Sequence, residues 1–188
     1  MKKRVFIIHG WDGYPGEGWL SWLRAELDKR GFEVHVPAMP ETSEPKIEVW
    51  VPFLSKSVGK SDENTFFVGH SIGCQTILRY LESIDEKVGG AIFVAGWVHL
   101  VNLSGPAEEK IAEPWLTTPI NWVKIKKTTD HFVVFLSDND EWVPRADAEI
   151  FKEKLGAKII VEKGKGHFTQ DDKVYEIPVV LQELLKII

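Results

Sequence analysis

Four stretches of this 188-residue chain are almost wholly apolar: Val5-Phe6-Ile7-Ile8, Thr65-Phe66-Phe67-Val68, Ala91-Ile92-Phe93-Val94 and Phe132-Val133-Val134-Phe135-Leu136. A strand with one face in water alternates apolar and polar residues. An unbroken run of strand length is expected where both faces are covered, as in a parallel sheet packed between helices. Segments of helical period separate the runs. Trp19, Trp22, Leu23 and Leu27 repeat at helical spacing up to Gly31, a candidate C-cap. Further helices are expected over 47–58, 72–84, 145–155 and 174–187, with Pro52 disturbing the first of these or ending its first turn, and Pro178 within the first turn of the last. Shorter strands are expected at 32–36 and 158–161. Strand and helix therefore alternate along one domain spanning 1–188, with about six mainly parallel strands and helices on both faces. The least regular segment, 96–131, is the natural place for a small cap or a long loop.

Composition narrows the functional classes. A net charge of −5 gives no footprint for nonspecific nucleic-acid binding. The one internal basic cluster, Lys124, Lys126 and Lys127, reads as a solvated loop or strand entry. The lone cysteine, Cys74, leaves no intramolecular disulfide and fits a reducing compartment. The apolar run after Met1-Lys2-Lys3-Arg4 is too short for a signal peptide, and no segment approaches the roughly 20 apolar residues of a membrane span. The expectation is a soluble cytoplasmic protein with no membrane partner.

The chemistry-bearing motif is Gly69-His70-Ser71-Ile72-Gly73, set between the run at 65–68 and a helical segment. A serine hydroxyl is a weak nucleophile at neutral pH and needs both a base and an exposed perch. A strand turning sharply into a helix provides the perch, and the two glycines admit crowding backbone. Two partners follow the ends of later strands. Asp138 and Asp140 lie in Ser137-Asp138-Asn139-Asp140-Glu141-Trp142-Val143-Pro144, and His167 lies in Gly164-Lys165-Gly166-His167-Phe168. Both aspartates remain candidates; Asp140 is preferred because Val143-Pro144 reads as the turn starting the next helix. The order Ser, Asp, His is that of the α/β-hydrolases. In this reading His167 takes the Ser71 proton, the aspartate fixes its tautomer, and two backbone N–H groups bind the oxyanion. Those N–H groups are expected from Ile72 and, in the loop after the first strand, from Trp11. Asp12 is read as a loop cap.

Other residues carry quieter expectations. His9 and His70 are read as packing and hydrogen-bonding groups around the elbow, and Cys74 as buried filler. His35, His99 and His131 have no ligand set beside them, so no metal is expected. Asp138-Asn139-Asp140 lacks the later residues of a calcium loop, and Gly59-Lys60-Ser61 lacks the earlier glycine of a phosphate loop. No cofactor is expected. Of the eight tryptophans, Trp11, Trp97, Trp115, Trp122 and Trp142 are placed near the mouth, where at least two would line an apolar pocket.

With these motifs in place the chain resembles the α/β-hydrolases, and within them the small serine hydrolases related to retinoblastoma-binding protein 9, including the bacterial YdeN-like proteins. The likeness spans nearly the whole chain. It rests on Ile7-Ile8-His9-Gly10, Trp19-Leu20-Ser21-Trp22-Leu23, Met39-Pro40, the serine elbow through Cys74, Arg79-Tyr80-Leu81-Glu82, Val94-Ala95-Gly96-Trp97, 140–144 and Gly166-His167-Phe168. The resemblance implies Ser71, Asp140 and His167 as the triad, a reduced sheet and a minimal cap. A Leu-x-Cys-x-Glu motif for a retinoblastoma-type pocket is excluded, because Ile72 and Thr76 flank Cys74. The functional expectation is hydrolysis of small or medium acyl esters through an acyl-enzyme. An amide, peptide or thioester hydrolase on the same triad and a binding protein with a vestigial triad are the rivals.

Overall fold

The computed structural model describes residues 2–188. Six strands form one sheet: β1 (Arg4–Ile8), β2 (Glu33–His35), β3 (Thr65–His70), β4 (Gly90–Val94), β5 (Phe132–Ser137) and β6 (Lys158–Glu162). Their spatial order is β2-β1-β3-β4-β5-β6, and every pairing is parallel. Helices α1 (Gly18–Lys29), α2 (Ile47–Val58), α3 (Ile72–Ser83), α4 (Pro106–Thr117), α5 (Trp122–Thr128), α6 (Asp147–Leu155) and α7 (Pro178–Ile187) connect or follow them. None is long and apolar enough to cross a membrane among the described residues.

The unbroken apolar runs are explained by two cores, one on each side of the sheet. Successive strand side chains point to opposite faces. Val5, Ile7, Phe66, Val68, Val133 and Phe135 pack with Trp19, Leu23 and Leu27 of α1 and with Val180 and Leu184 of α7. Phe6, Ile8, Phe67, Phe93, Phe132 and Val134 face the other way, onto Trp50 and Leu54 of α2, Ile77 and Leu78 of α3, and Phe151 of α6. Neither face is wet, so neither parity of position is polar.

Three details differ from the sequence expectation. Helix α2 runs through Pro52 to Val58, because burial of Trp50, Leu54 and Val58 holds the helix while the exposed Glu48 end faces water. Helix α7 starts at Pro178 rather than at 174. Proline suits the first helical position, and Ile177 before it is extended (φ −134°, ψ 80°). The segment 96–131 is not a plain loop. It carries α4 and α5, and the lysine cluster lies on α5, where Lys124 meets Asp85 at 3.1 Å.

The root of that segment is tied to α6 by Asp147, whose carboxylate is wholly buried. Its Oδ2 accepts from the backbone N–H of Val98 (2.5 Å) and of His99 (2.8 Å), and its Oδ1 meets His99 Nδ1 at 2.7 Å. Removing a buried acceptor strands its donors. Asp147→Ala is therefore expected to cost about 2–3 kcal/mol in urea unfolding, with Asp147→Asn costing less and the exposed Glu149→Ala staying within about 0.5 kcal/mol. Equal losses for Asp147→Ala and Glu149→Ala would refute the tether.

Candidate active site

The strand order reverses direction between β1 and β3, and in an open parallel sheet the crevice at such a point is where ligands bind. The carboxyl ends of these two strands carry Gly10-Trp11 and Ser71. Ser71 sits between β3 and α3 with φ 51° and ψ −120°, a region that costs of order 1–3 kcal/mol for a non-glycine residue. Neighbouring bonds hold it there. The Ser71 N–H donates to the Val94 carbonyl at 3.0 Å, and the Cys74 N–H donates to the Ser71 carbonyl at 2.9 Å. The motif's glycines are steric requirements. A Cβ on Gly69 would lie 2.8 Å from the Cys74 nitrogen, and one on Gly73 only 2.4 Å from the Ile8 carbonyl oxygen.

Three side chains predicted from sequence meet at this elbow. His167 Nε2 lies 2.8 Å from Ser71 Oγ, and His167 Nδ1 lies 2.8 Å from Asp140 Oδ2. The Asp140 side chain is 1% exposed. Its Oδ1 accepts from the Trp142 and Val143 N–H groups at 2.9 and 3.1 Å, which fixes the carboxylate plane and leaves Oδ2 for the imidazole. Asp138 has a different position: its Oδ1 accepts from the Gly164 N–H at 2.7 Å, on the turn before His167. Of the two candidate aspartates, only Asp140, the one preferred from the sequence, touches the imidazole.

Trp11 and Ile72 flank the same point. Among the described residues, neither backbone N–H donates to a protein acceptor, whereas the Asp12 N–H is taken by the Thr42 carbonyl at 2.9 Å. The Trp11 indole donates to the Ser43 carbonyl at 3.1 Å, which pins the loop from its far side. His9 is buried and fixes the loop from within. It accepts the Met39 N–H on Nε2 at 3.0 Å, so its proton is on Nδ1, 2.9 Å from the Gly10 carbonyl. Burial pushes its pKa below the ordinary histidine value, with the Gly10 bond opposing.

The turn bearing His167 depends on His70, read from sequence as a packing and hydrogen-bonding group, and on residues with no site role in that reading. His70 Nε2–H donates to the His167 carbonyl at 2.7 Å, and Trp19 Nε1–H donates to the Phe168 carbonyl at 3.0 Å. These two bonds hold a turn in which Gly166 (φ 52°) and Phe168 (φ 59°) are both left-handed. Asp172 Oδ2 accepts from the His167 N–H at 2.9 Å and from Thr169, while Asn139 Oδ1 accepts from the Gly166 N–H at 2.9 Å. A sequence signal for this network existed only at His70, inside the elbow motif.

These groups border a cavity of about 630 Å³ lined by Ser71, His167, Trp11, Trp142, Leu103 and Ile111, among others. Two of the five tryptophans expected at the mouth are there. Trp97 and Trp115 are core residues instead, and Trp122 stands edge-on to Phe151 away from the cavity. Cys74 is buried filler: its Sγ contacts the Val94 carbonyl at 3.4 Å, and burial pushes the thiol well above its ordinary value. Among the described residues no group of three or more His, Cys, Asp or Glu side chains is placed to hold a metal ion.

His70 gives this region a measurable pH signature. Burial, and next the neighbouring His167, lower its pKa to about 3. The folded chain thus favours neutral imidazole. Stability from this residue is complete above the ordinary value of about 6.5 and is lost as pH falls toward about 3. Between pH 7.5 and 5.0 the loss is expected to be about 2 kcal/mol in urea unfolding, and smaller by that amount in His70→Gln. An identical pH dependence in the variant would contradict the buried neutral state.

With the fold and the cluster described, relatives can be placed. The family model for serine hydrolases matches residues 5–186. YdeN of Bacillus subtilis strain 168 is 30% identical over 98% of this chain and 95% of its own length. The serine hydrolase RBBP9 of Rattus norvegicus is 28% identical over 89% of this chain and 87% of its own. The crystal structure of the Bacillus subtilis ydeN gene product superposes with a TM-score of 0.90 at 28% identity, covering 99% of this chain and 98% of the other. A carboxylesterase structure from the thaumarchaeon Nitrososphaera gargenis, at 16% identity and a TM-score of 0.74, shares the fold over 99% of this chain and 90% of its own. The chain has the α/β-hydrolase fold and belongs to the serine hydrolase family.

Proposed function

We propose that this serine hydrolase cleaves carboxylic esters of small or medium acyl groups through Ser71, His167 and Asp140. The observation that carries the reading is the continuous chain of contacts from Ser71 Oγ to His167 Nε2, and from His167 Nδ1 to Asp140 Oδ2, each 2.8 Å long. His167 accepts the hydroxyl proton as Oγ attacks the ester carbonyl, and it returns that proton to the departing alcohol. Asp140 holds the proton on Nδ1, so Nε2 is the basic nitrogen, and it stabilises the imidazolium. Among the described residues the N–H groups of Trp11 and Ile72 donate to no protein acceptor, and they are assigned to the oxyanion. Water then attacks the acyl-enzyme with His167 as base, releasing the acid and restoring Ser71.

The ester preference is supported by the lining. Trp11, Leu100, Leu103 and Ile111 offer apolar contact to an acyl chain, and the cavity of about 630 Å³ suits short or medium lengths.

A fluorophosphonate probe is expected to label the protein at Ser71, and Ser71→Ala is expected to abolish labelling; undiminished labelling in that variant would sink the assignment. Hydrolysis of p-nitrophenyl butyrate should fall by about four orders of magnitude in kcat for Asp140→Asn, because the wrong tautomer is then held, while Asp138→Asn retains most of its activity. Equal losses at the two aspartates would reject Asp140 as the partner of His167.

A further inference from the structure

The cavity over Ser71 is chemically lopsided. Among the described residues, neither lysine nor arginine lines it, whereas Asp12, Glu17, Glu108 and Asp171 do. Their situations differ. Glu108 is engaged, with Oε2 accepting the Ser104 N–H at 2.7 Å. Glu17 stands just before α1, where an acidic side chain would ordinarily cap the helix, yet it makes no capping bond. Among the described residues its Oε2 is buried without a hydrogen-bond partner, while the residue as a whole is only partly buried. Burial pushes the carboxyl above its ordinary value, and the like charge of Asp171 adds to this, against the Tyr14 amide and His167. A buried acceptor without a donor is costly, and a ligand that brings positive charge beside it removes that cost.

Two of the four acidic groups lie on segments tied to each other. Glu17 belongs to the connection from β1 to α1, and Asp171 to the turn after His167; Gln170 Nε2 donates to Tyr14 Oη at 3.1 Å and joins the two segments. Three apolar lining residues come from elsewhere: Leu100 and Leu103 precede α4, and Ile111 lies on it. His167 delivers its proton to the leaving group, so the groups flanking His167 face the leaving-group half of a bound ester. Trp142 stands there too, edge-on to His167 with ring centroids 5.1 Å apart and its side chain partly exposed, and an indole face attracts cations.

Resting on the ester-hydrolase reading above, we propose that this cavity selects esters whose leaving alcohol carries a cation, a quaternary or protonated amine, with Glu17 as the specificity-determining residue and Asp171 reinforcing it. The acyl group lies along the apolar lining and the cation lies between the two carboxylates and Trp142. Hydrolysis breaks the acyl carbon–oxygen bond. The Ser71 hydroxyl proton passes through His167 to the departing amino alcohol, and water then supplies the hydroxyl of the acid and the proton that restores Ser71. Anionic leaving groups are repelled by the same field.

An isosteric pair isolates the charge: butyrylcholine and 3,3-dimethylbutyl butyrate differ by nitrogen against carbon. The expected kcat/KM ratio is at least about tenfold for the cation at low ionic strength, shrinking in 0.5 M NaCl as the field is screened. In Glu17→Gln the ratio should drop several-fold, and in Asp171→Asn by a smaller factor, while the remote exposed Glu153→Gln keeps the wild-type ratio. Circular dichroism and the rate of fluorophosphonate labelling certify that each variant is folded with a competent serine. Labelling of Ser71 together with equal rates for the pair, no cleavage of the choline ester, or a ratio unmoved by Glu17→Gln overturns the cation proposal alone. Failure of Ser71 to label overturns the nucleophile reading and this proposal with it.

Discussion

The contact on which the rest of the molecule depends is the one between the first turn of α3 and the end of β1. Gly73 sits where any side chain would be driven into the Ile8 carbonyl, with a Cβ only 2.4 Å away. That approach fixes how tightly α3 descends onto the sheet, and it sets the backbone of Ser71 in its left-handed conformation. It also brings the segment after β1 alongside the nucleophile: a Cβ on Gly10 would fall 3.5 Å from that of Ser71. Because β1 and β3 are neighbours in the sheet with the switch in strand order between them, one steric constraint aligns a hydroxyl and two free N–H groups. Apolar core covers both faces of the sheet around this position.

Much of this was legible in the chain itself. The buried strands announce themselves because the absence of alternation has a single physical cause, coverage on both faces. Ser71 and His167 were legible because the elbow glycines and the residues around the histidine have few other uses. The acid was harder: Asp138 and Asp140 are two residues apart in a loop without periodicity, and only three-dimensional bonding separates them. Asp140 has both oxygens committed, one to backbone and one to imidazole, whereas Asp138 supports the Gly164 turn. The network under His167 was nearly invisible, because it is made of single bonds between positions far apart in sequence, such as His70 to the carbonyl of residue 167 and Trp19 to that of 168. The helices α4 and α5 were missed for a related reason. Pro106, Pro114 and Pro119 punctuate the segment, α4 buries only Ala112 and Trp115, and α5 is only seven residues long.

The placement of charge at the site follows an economy that the same comparison exposes. Carboxylates with structural duties have their oxygens filled by donors, as at Asp147, Asp172 and Asp138. Histidines with structural duties are kept neutral by burial, as at His9 and His70. Against that background Glu17 stands out, with its buried oxygen left unanswered by the protein. Among the described residues Gln75 Oε1, Arg79 Nε and Trp97 Nε1 are also buried without a partner, but of these residues only Glu17 lines the cavity, so it marks the wall where an incoming molecule has something to contribute.

Helix α4 is moored mainly at one end. Arg79 of α3 reaches the carbonyls of Trp115, Thr118 and Pro119, and Trp115 Nε1–H donates to the Pro45 carbonyl at 2.9 Å. Its opposite end, after the left-handed Gly105, supplies cavity-lining residues and contributes nothing to the Ser71–His167–Asp140 contacts. Clamp and lining are thus separate modules of one helix. Residues 100–111 can change turn by turn, altering what lines the cavity, while the Ser71–His167–Asp140 contacts and their supporting bonds stay as they are. A scaffold divided in this way gives a lineage freedom to diversify its diet without relearning its chemistry.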